Sequence, residues 1–484
     1  MLFNSIEYLI FLPLVVVLYY AISAKWRWLL LLAASYFFYM SWKVEYIVLI
    51  LASTLVDYYA GLKMSRLKKK SARKKYLLLS IIVNLGILAG FKYFNFFSEN
   101  MNVLFGEMNI FYRLPELKVL LPVGISFYTF QTMSYSIDIY RGLTKPERHL
   151  GKFALYVSFF PQLVAGPIER SRNLLPQIHE RKEFDPALII SGLKLILWGF
   201  FKKIVIADRI GIFVSSVYAS PDENAGIPTI LAAVLFIFQL YCDFSGYTDI
   251  ARGSARLMGY DLMINFRRPL VAKSFKDFWE RWHISLTTWF RDYLYFSLPA
   301  KYKGRVRMWL LQVNILITFI LMGLWHGANW TFLLFGVLIG ASLVIEDIST
   351  GLRRKFFRIT GLNKHAKLQG FLGWIFVFAL LILGCIFFRA ATISQGFAIL
   401  GNIFQPGEPG SSLVEILKDK ELVFGILQII ILMIAEWYHE KHNLIGKIAR
   451  QPIYLRWTIY AGFFFYIVMF GIMSNPQEFI YFQF

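Results

Sequence analysis

Only two cysteines, Cys242 and Cys385, occur in 484 residues, and both sit in apolar runs. That excludes a disulfide framework and leaves too few thiolates for a cysteine-held metal. Charge is scarce too: Asp, Glu, Lys and Arg make up 17% of the chain, against about 25% in soluble domains. Acid is the rarer sign, with 30 acidic residues against 51 basic ones. The excess base forms no single face or domain, which argues against nucleic acid as a partner. No phosphate-binding glycine loop and no GxSxG elbow appears, so neither ATP-driven work nor serine hydrolysis has its residues. No repeat of fixed period is visible, which weakens a transporter built from paired halves. Soluble domains are missing as well, since the longest polar stretches, around 169–186 and 402–420, are loop-sized. Before the first apolar run there is no basic segment or small-residue cleavage site, so that run reads as a retained anchor.

What is abundant is apolar length. Runs fall near residues 6–23, 28–42, 46–62, 76–97, 118–140, 152–168, 187–207, 227–250, 308–326, 328–345, 369–388, 422–438 and 457–473. Many approach the 20 or so residues that cross a bilayer. The expectation is an all-α polytopic membrane protein of about 11–13 helical segments, one domain over 1–484, in contact with membrane lipids. Lys63, Arg66, Lys68, Lys69, Lys70, Arg73, Lys74 and Lys75 crowd one loop. The positive-inside rule places that loop in the cytoplasm and, three spans back, the N-terminus outside. Pro161, Gly166 and Pro167 interrupt "FFPQLVAGPIER", and Pro122 and Gly124 interrupt "LPVGISFYTF". Backbone broken at membrane depth has to be wrapped by protein or line a cavity, so 152–168 reads as re-entrant.

The longest uncharged stretch, Met308 to Ile345, carries His326 at its middle, in "MGLWHGANWTF". At about 1.5 Å per residue one helix of that length would span nearly two hydrocarbon cores, so two helices should reverse near "GLWHGAN". A turn without polar padding must be enclosed, and Gly323 and Gly327 allow close approach there. An ionisable residue in this setting is a functional candidate, and His326 is expected to face an interior cavity, with Trp325 and Asn329 lining it.

Upstream, "SFKDFWERWHISLTTWFRDYLYF" places Phe278, Trp279, Trp282, Leu286, Trp289, Phe290 and Tyr293 on one helical arc. The pattern predicts an interfacial amphipathic helix with His283 at the edge of its apolar face. His283 fits either a buried packing histidine or a second site residue, and Trp282 a cavity lining. In "YCDFSGYTDIARGSA", Asp243 and Asp249 enter an apolar run, and Arg252 lies one helical turn after Asp249. Neutralised scaffold and cavity lining are both open for them; Asp138 and Arg141 repeat the spacing. No His/Cys/Asp/Glu set stands at ligand spacing, so no metal is expected. A haem bridged by two histidines is the one alternative.

"LPVGISFYTFQTMSYSIDIYR", "FFPQLVAGPIER", "YCDFSGYTDIARGSA", "NFRRPL" with the His283 segment, and "GLWHGANWTFLLFG" together resemble the membrane-bound O-acyltransferase family. The likeness is to its bacterial branch acting in alginate O-acetylation and teichoic-acid D-alanylation. It runs in order through most of the chain. The resemblance implies a ring of helices around a central tunnel, with His326 as catalytic histidine and His283 as second motif histidine. It further implies an acyl thioester donor (acetyl-CoA or an acyl carrier) as substrate, no bound cofactor, and a polysaccharide acceptor. An extracytoplasmic partner with a Ser-His-Asp hydrolase-like (SGNH-type) acetyltransferase domain is implied as well. The length and the "WHGANWTF" form favour acetyl transfer over D-alanyl transfer. The rival class is a proton-coupled transporter or flippase with His326 as relay, and a third reading makes His326 a packing residue.

Overall fold

Apolar length becomes helix almost throughout. A computed structural model of the chain describes residues 1–117, 121–302, 304–407, 412–473 and 478–482. Among them eight helices are long and apolar enough to cross a membrane: Val44–Arg66, Lys70–Glu107, Ile227–Leu257, Met308–His326, Trp330–Ile348, Ala366–Arg389, Lys420–His442 and Ile453–Phe470. The remaining apolar runs are helical but shorter, as in Ile6–Ala21 and Arg27–Met40, or broken. Run 118–140 yields the helix Ile125–Arg141, its residues 118–120 lying outside the described set. So do residues 408–411 of the polar stretch at 402–420. The one strand pairing among the described residues is Lys301–Tyr302 with Arg305–Val306. The chain divides into two compact units, Met1–Ile196 with Thr248–Met263, and Leu197–Tyr247 with Ile264–Phe484.

In the first unit a buried polar network joins three helices. Asp57, wholly buried, accepts hydrogen bonds from Ser80, from Ser136 Oγ at 2.5 Å and from Asn84 Nδ2 at 2.6 Å. Ser53 in turn donates to Asn84 at 2.6 Å. Hydroxyl and amide groups serve as glue between helices where lipid offers no hydrophobic drive. The segment 152–168 is a broken helix, as its prolines and glycine require: Leu150–Ser158, then the single turn Phe160–Leu163, then extended backbone. Every residue from Phe153 to Ser171 is buried in protein, so the freed backbone is satisfied internally. Phe160 N–H donates to Ser35 at 3.0 Å, and Gly124, at φ +79°, lets its chain pass against the Leu163 carbonyl. Glu169 closes the segment, accepting from Asn173 at 2.7 Å and from the backbone N–H of Met263. Burial pushes its carboxyl up to about 7.

In the second unit the uncharged stretch folds as a hairpin, Met308–His326 and Trp330–Ile348, reversing over three residues. The close approach at Gly323 and Gly327 is made by protein: a Cβ on Gly323 would fall on the Phe332 carbonyl, and one on Gly327 on the Phe332 ring. Asn329 caps the second helix, accepting from Thr331 N–H at 3.1 Å, and donates to the Ala391 carbonyl at 2.9 Å.

The continuous amphipathic helix expected across His283 is not what forms. The segment is two short helices, Phe275–Arg281 and Ile284–Tyr293, broken at His283, whose φ is +42°. Ser274 caps the first by accepting from Asp277 N–H at 3.1 Å, and Glu346 takes the N–H groups of Phe275 and Lys276 at 3.1 and 2.9 Å. A carboxylate at that end complements the helix dipole. The aromatic arc is buried in protein: Trp279, Trp282, Trp289 and Phe290 are all buried.

Candidate active site

A non-glycine residue at positive φ is uncommon, and such strained positions cluster at functional sites. At His283 the strain is held by Asn265. Its side-chain oxygen accepts from His283 Nδ1 at 3.1 Å, from Ser285 N–H at 3.2 Å and from Ser285 Oγ at 3.0 Å. Its backbone carbonyl takes Ile284 N–H at 2.9 Å. An oxygen that receives three donors can only accept, so the imidazole proton sits on Nδ1 and the ring's lone pair on Nε2. Burial, with the neighbouring His326 second, holds this imidazole well below its ordinary value, hence neutral.

His326 ends its helix buried at 5% exposure, ringed edge-on by aromatics: Trp325 at 5.1 Å, Phe388 at 5.2 Å and Phe335 at 6.0 Å between centroids. It borders a cavity of about 30 Å³. Phe278, Trp279, Ile339 and Leu381 form apolar wall, while Trp282, Cys385 and Tyr481 complete the lining. Such a volume holds about a water or a group of similar size. His326 therefore faces an interior cavity, as the enclosed turn required.

The two histidines come together. Trp325 packs against His283 at 5.9 Å, and the Tyr481 ring lies 5.6 Å from His326 and 6.2 Å from His283. Tyr481 is the residue that sequence reasoning missed: it follows the last apolar run in "EFIYFQF", and its only local signal is that aromatic cluster. Of the other candidates, Trp282 lines the cavity. Asn329 is occupied as a helix cap and does not border it. Asp243 is buried beside the site, paired with Lys203 at 2.6 Å and accepting from Ile480 N–H at 2.8 Å. Asp249 belongs to the first unit, where Arg252 pairs with it at 3.7 Å, the scaffold arrangement its spacing suggested. Among the described residues no three His, Cys, Asp or Glu side chains gather as a metal site. What the arrangement can do is hold one histidine at the edge of a small, mostly apolar cavity with a second, neutral histidine beside it, the setting for moving a proton away from bulk water.

Comparison with known proteins gives this geometry its context. The sequence signature of the membrane-bound O-acyltransferase family matches residues 41–388. The chain is 38% identical to the probable alginate O-acetylase AlgI of Azotobacter vinelandii, over 84% of this chain and 79% of that one. It is 32% identical to the peptidoglycan O-acetyltransferase of Helicobacter pylori, over 81% and 76%. With the teichoic acid D-alanyltransferase of Streptococcus thermophilus identity is again 32%, but over 51% and 60%. An all-helical integral membrane protein with one motif histidine lining a buried cavity and the second packed beside it, matched over most of its length, is thus an acyltransferase belonging to the membrane-bound O-acyltransferase family.

Proposed function

We propose that the protein moves an acetyl group from a cytoplasmic thioester, acetyl-CoA or an acyl carrier, toward hydroxyls of an exported cell-surface polysaccharide. The observation that carries this reading is His326 at an apolar cavity of water-like size, with His283 beside it. A sugar hydroxyl is too weak an acid to attack a thioester unaided. His326 takes the hydroxyl proton as its oxygen attacks the thioester carbonyl; the C–S bond breaks and the thiol leaves with a proton returned from the imidazole. A positioned base of this kind contributes about 10²–10⁴-fold. His283, proton fixed on Nδ1 by Asn265, presents a lone pair that orients the reacting groups. Relatives named for acetyl transfer align over four-fifths of the chain and those named for D-alanyl transfer over about half, which favours acetyl. The donor lies inside and the glycan outside, so the acyl group crosses; the attacking hydroxyl is either the glycan's own or one on an extracytoplasmic partner with a Ser-His-Asp hydrolase-like domain, which then hands the acetyl to the glycan. The protein sits in a bacterial cell membrane with the N-terminus outside and the basic turn between the helices ending at Arg66 and starting at Lys70 in the cytoplasm.

Base-released acetate from the exported glycan of cells carrying wild type or His326→Ala is the test, with folded protein quantified alongside. The expected result is a loss of about 10²-fold or more at unchanged protein level. Retained acetate sinks the base assignment, and loss of the protein itself points to packing.

A further inference from the structure

Resting on the histidine cavity described above, we propose that the buried pair Lys203–Asp243, steadied by Asp208, is a positioning device that holds the C-terminal segment Phe479–Phe482 against the two histidines.

The segment has little to hold it by itself. It contains a single helical turn, Ile480–Phe482, too short to be stable alone. Yet Phe479 and Ile480 are buried, at 2% and 4% exposure. The helix Ile227–Leu257 supplies the seat. Phe479 stacks on Tyr247 at 4.7 Å, Tyr481 packs on Phe244 at 4.3 Å, and Asp243 Oδ2 accepts the Ile480 N–H at 2.8 Å. Asp243, Phe244 and Tyr247 thus grip both rings and the backbone between them. The aromatic contacts give area but little direction; the hydrogen bond fixes the register, and so which ring meets His326.

That bond has strength because its acceptor is a paired carboxylate. Lys203 Nζ lies 2.6 Å from Asp243 and 2.8 Å from Asp208. A buried carboxylate without a cation would be strongly disfavoured, whereas a paired one makes a charge-assisted bond. Local winding assembles the cluster. Phe201–Ala207 is a π-helix, whose i→i+5 spacing brings Lys203 and Asp208 to one face. On an α-helix at 100° per residue they would stand about 140° apart. Such π-turns are frequent at functional sites, and this one aims a lysine at the residue that seats Tyr481.

Hydrogen–deuterium exchange of the full-length protein in detergent, read by mass spectrometry of the peptide that spans 478–482, reports how firmly the Ile480 N–H is held. Loss of a hydrogen bond to a charged group predicts exchange about tenfold faster or more in Asp243→Ala. Ile480→Pro tests the same bond from the other side, removing the N–H at the first position of the turn, where proline is tolerated, without touching the buried ion pair, and should speed exchange at the amides that follow it. Ile480→Val keeps the N–H and should exchange at the wild-type rate. Base-released acetate should fall in Ile480→Pro and be preserved in Ile480→Val. Equal exchange in wild type, Asp243→Ala and Ile480→Pro would overturn the proposal, as would equal acetate in the proline and valine variants. Exchange is measured without turnover, so a cell that makes no acetylated glycan refutes the acetyl-transfer reading and leaves the exchange result to decide this one.

Discussion

At the scale of single residues, two buried groups, His283 and Glu169, pull stability in opposite directions with pH. His283 is held neutral in the folded protein, while its unfolded counterpart protonates below about 6.5. Acidification through that value therefore gives the unfolded chain a proton that the folded chain refuses, and stability falls. Glu169 keeps its proton up to about 7 when folded but only to 4.5 when unfolded. Its contribution is full below pH 4.5 and is lost as pH rises toward 7. Each effect has a limiting slope of about 1.4 kcal/mol per pH unit, and between pH 5 and 6.5 they oppose. Across that range the melting of the detergent-solubilised protein should shift in opposite senses in the two variants: relative to wild type, His283→Gln should gain stability on acidification and Glu169→Gln should lose it. Slopes identical in all three proteins would show that neither group titrates as its burial implies.

At the scale of elements, the hairpin Met308–His326 and Trp330–Ile348 depends on glycine where the two backbones nearly touch. Gly323 has no room for a Cβ against the Phe332 carbonyl, and it lies 3.1 Å, measured from that Cβ position, from Gly336 Cα. Adding a methyl there should cost about 1–3 kcal/mol, as overpacking does, and should displace His326 three residues on. Gly462, in another span, has nothing within 4 Å of its Cβ position. Gly323→Ala should thus lower the melting temperature and the yield of folded protein, and Gly462→Ala should change neither. The broken helix at His283 belongs to the same scale. Its aromatic periodicity is real, but a hydrogen-bond acceptor eighteen residues upstream, Asn265, outweighs local helix propensity by fixing the break. No window over 275–296 contains Asn265, which is why the pattern reads there as one helix.

For the whole molecule, eight helices of membrane length and the clustered base between Lys63 and Lys75 make orientation measurable. A cysteine introduced at Lys69, in a background lacking Cys242 and Cys385, should react with an impermeant maleimide only after the cytoplasmic face is opened. Labelling in intact cells would invert the proposed topology and put the thioester donor on the wrong side for this chain. The expected acetate loss in His326→Ala belongs at this scale too, because it reads the entire transfer across the membrane.

Composition and order of residues were enough to establish a polytopic helical membrane protein, the enclosed reversal at His326, the broken helix at Pro161 and Gly166, and the family. Each of these follows from apolar length, missing charge or contiguous motifs, all local along the chain. Tertiary structure alone decided the rest. It brought His283, His326 and Tyr481 into one cluster from three distant segments, since contact between residues so far apart leaves no periodic trace. It turned Asp243 from a residue that could line or neutralise into the seat of the C-terminal segment, because that depends on which backbone N–H arrives beside it. And it paired Lys203 with Asp208 across five positions, a spacing that only a π-turn makes adjacent.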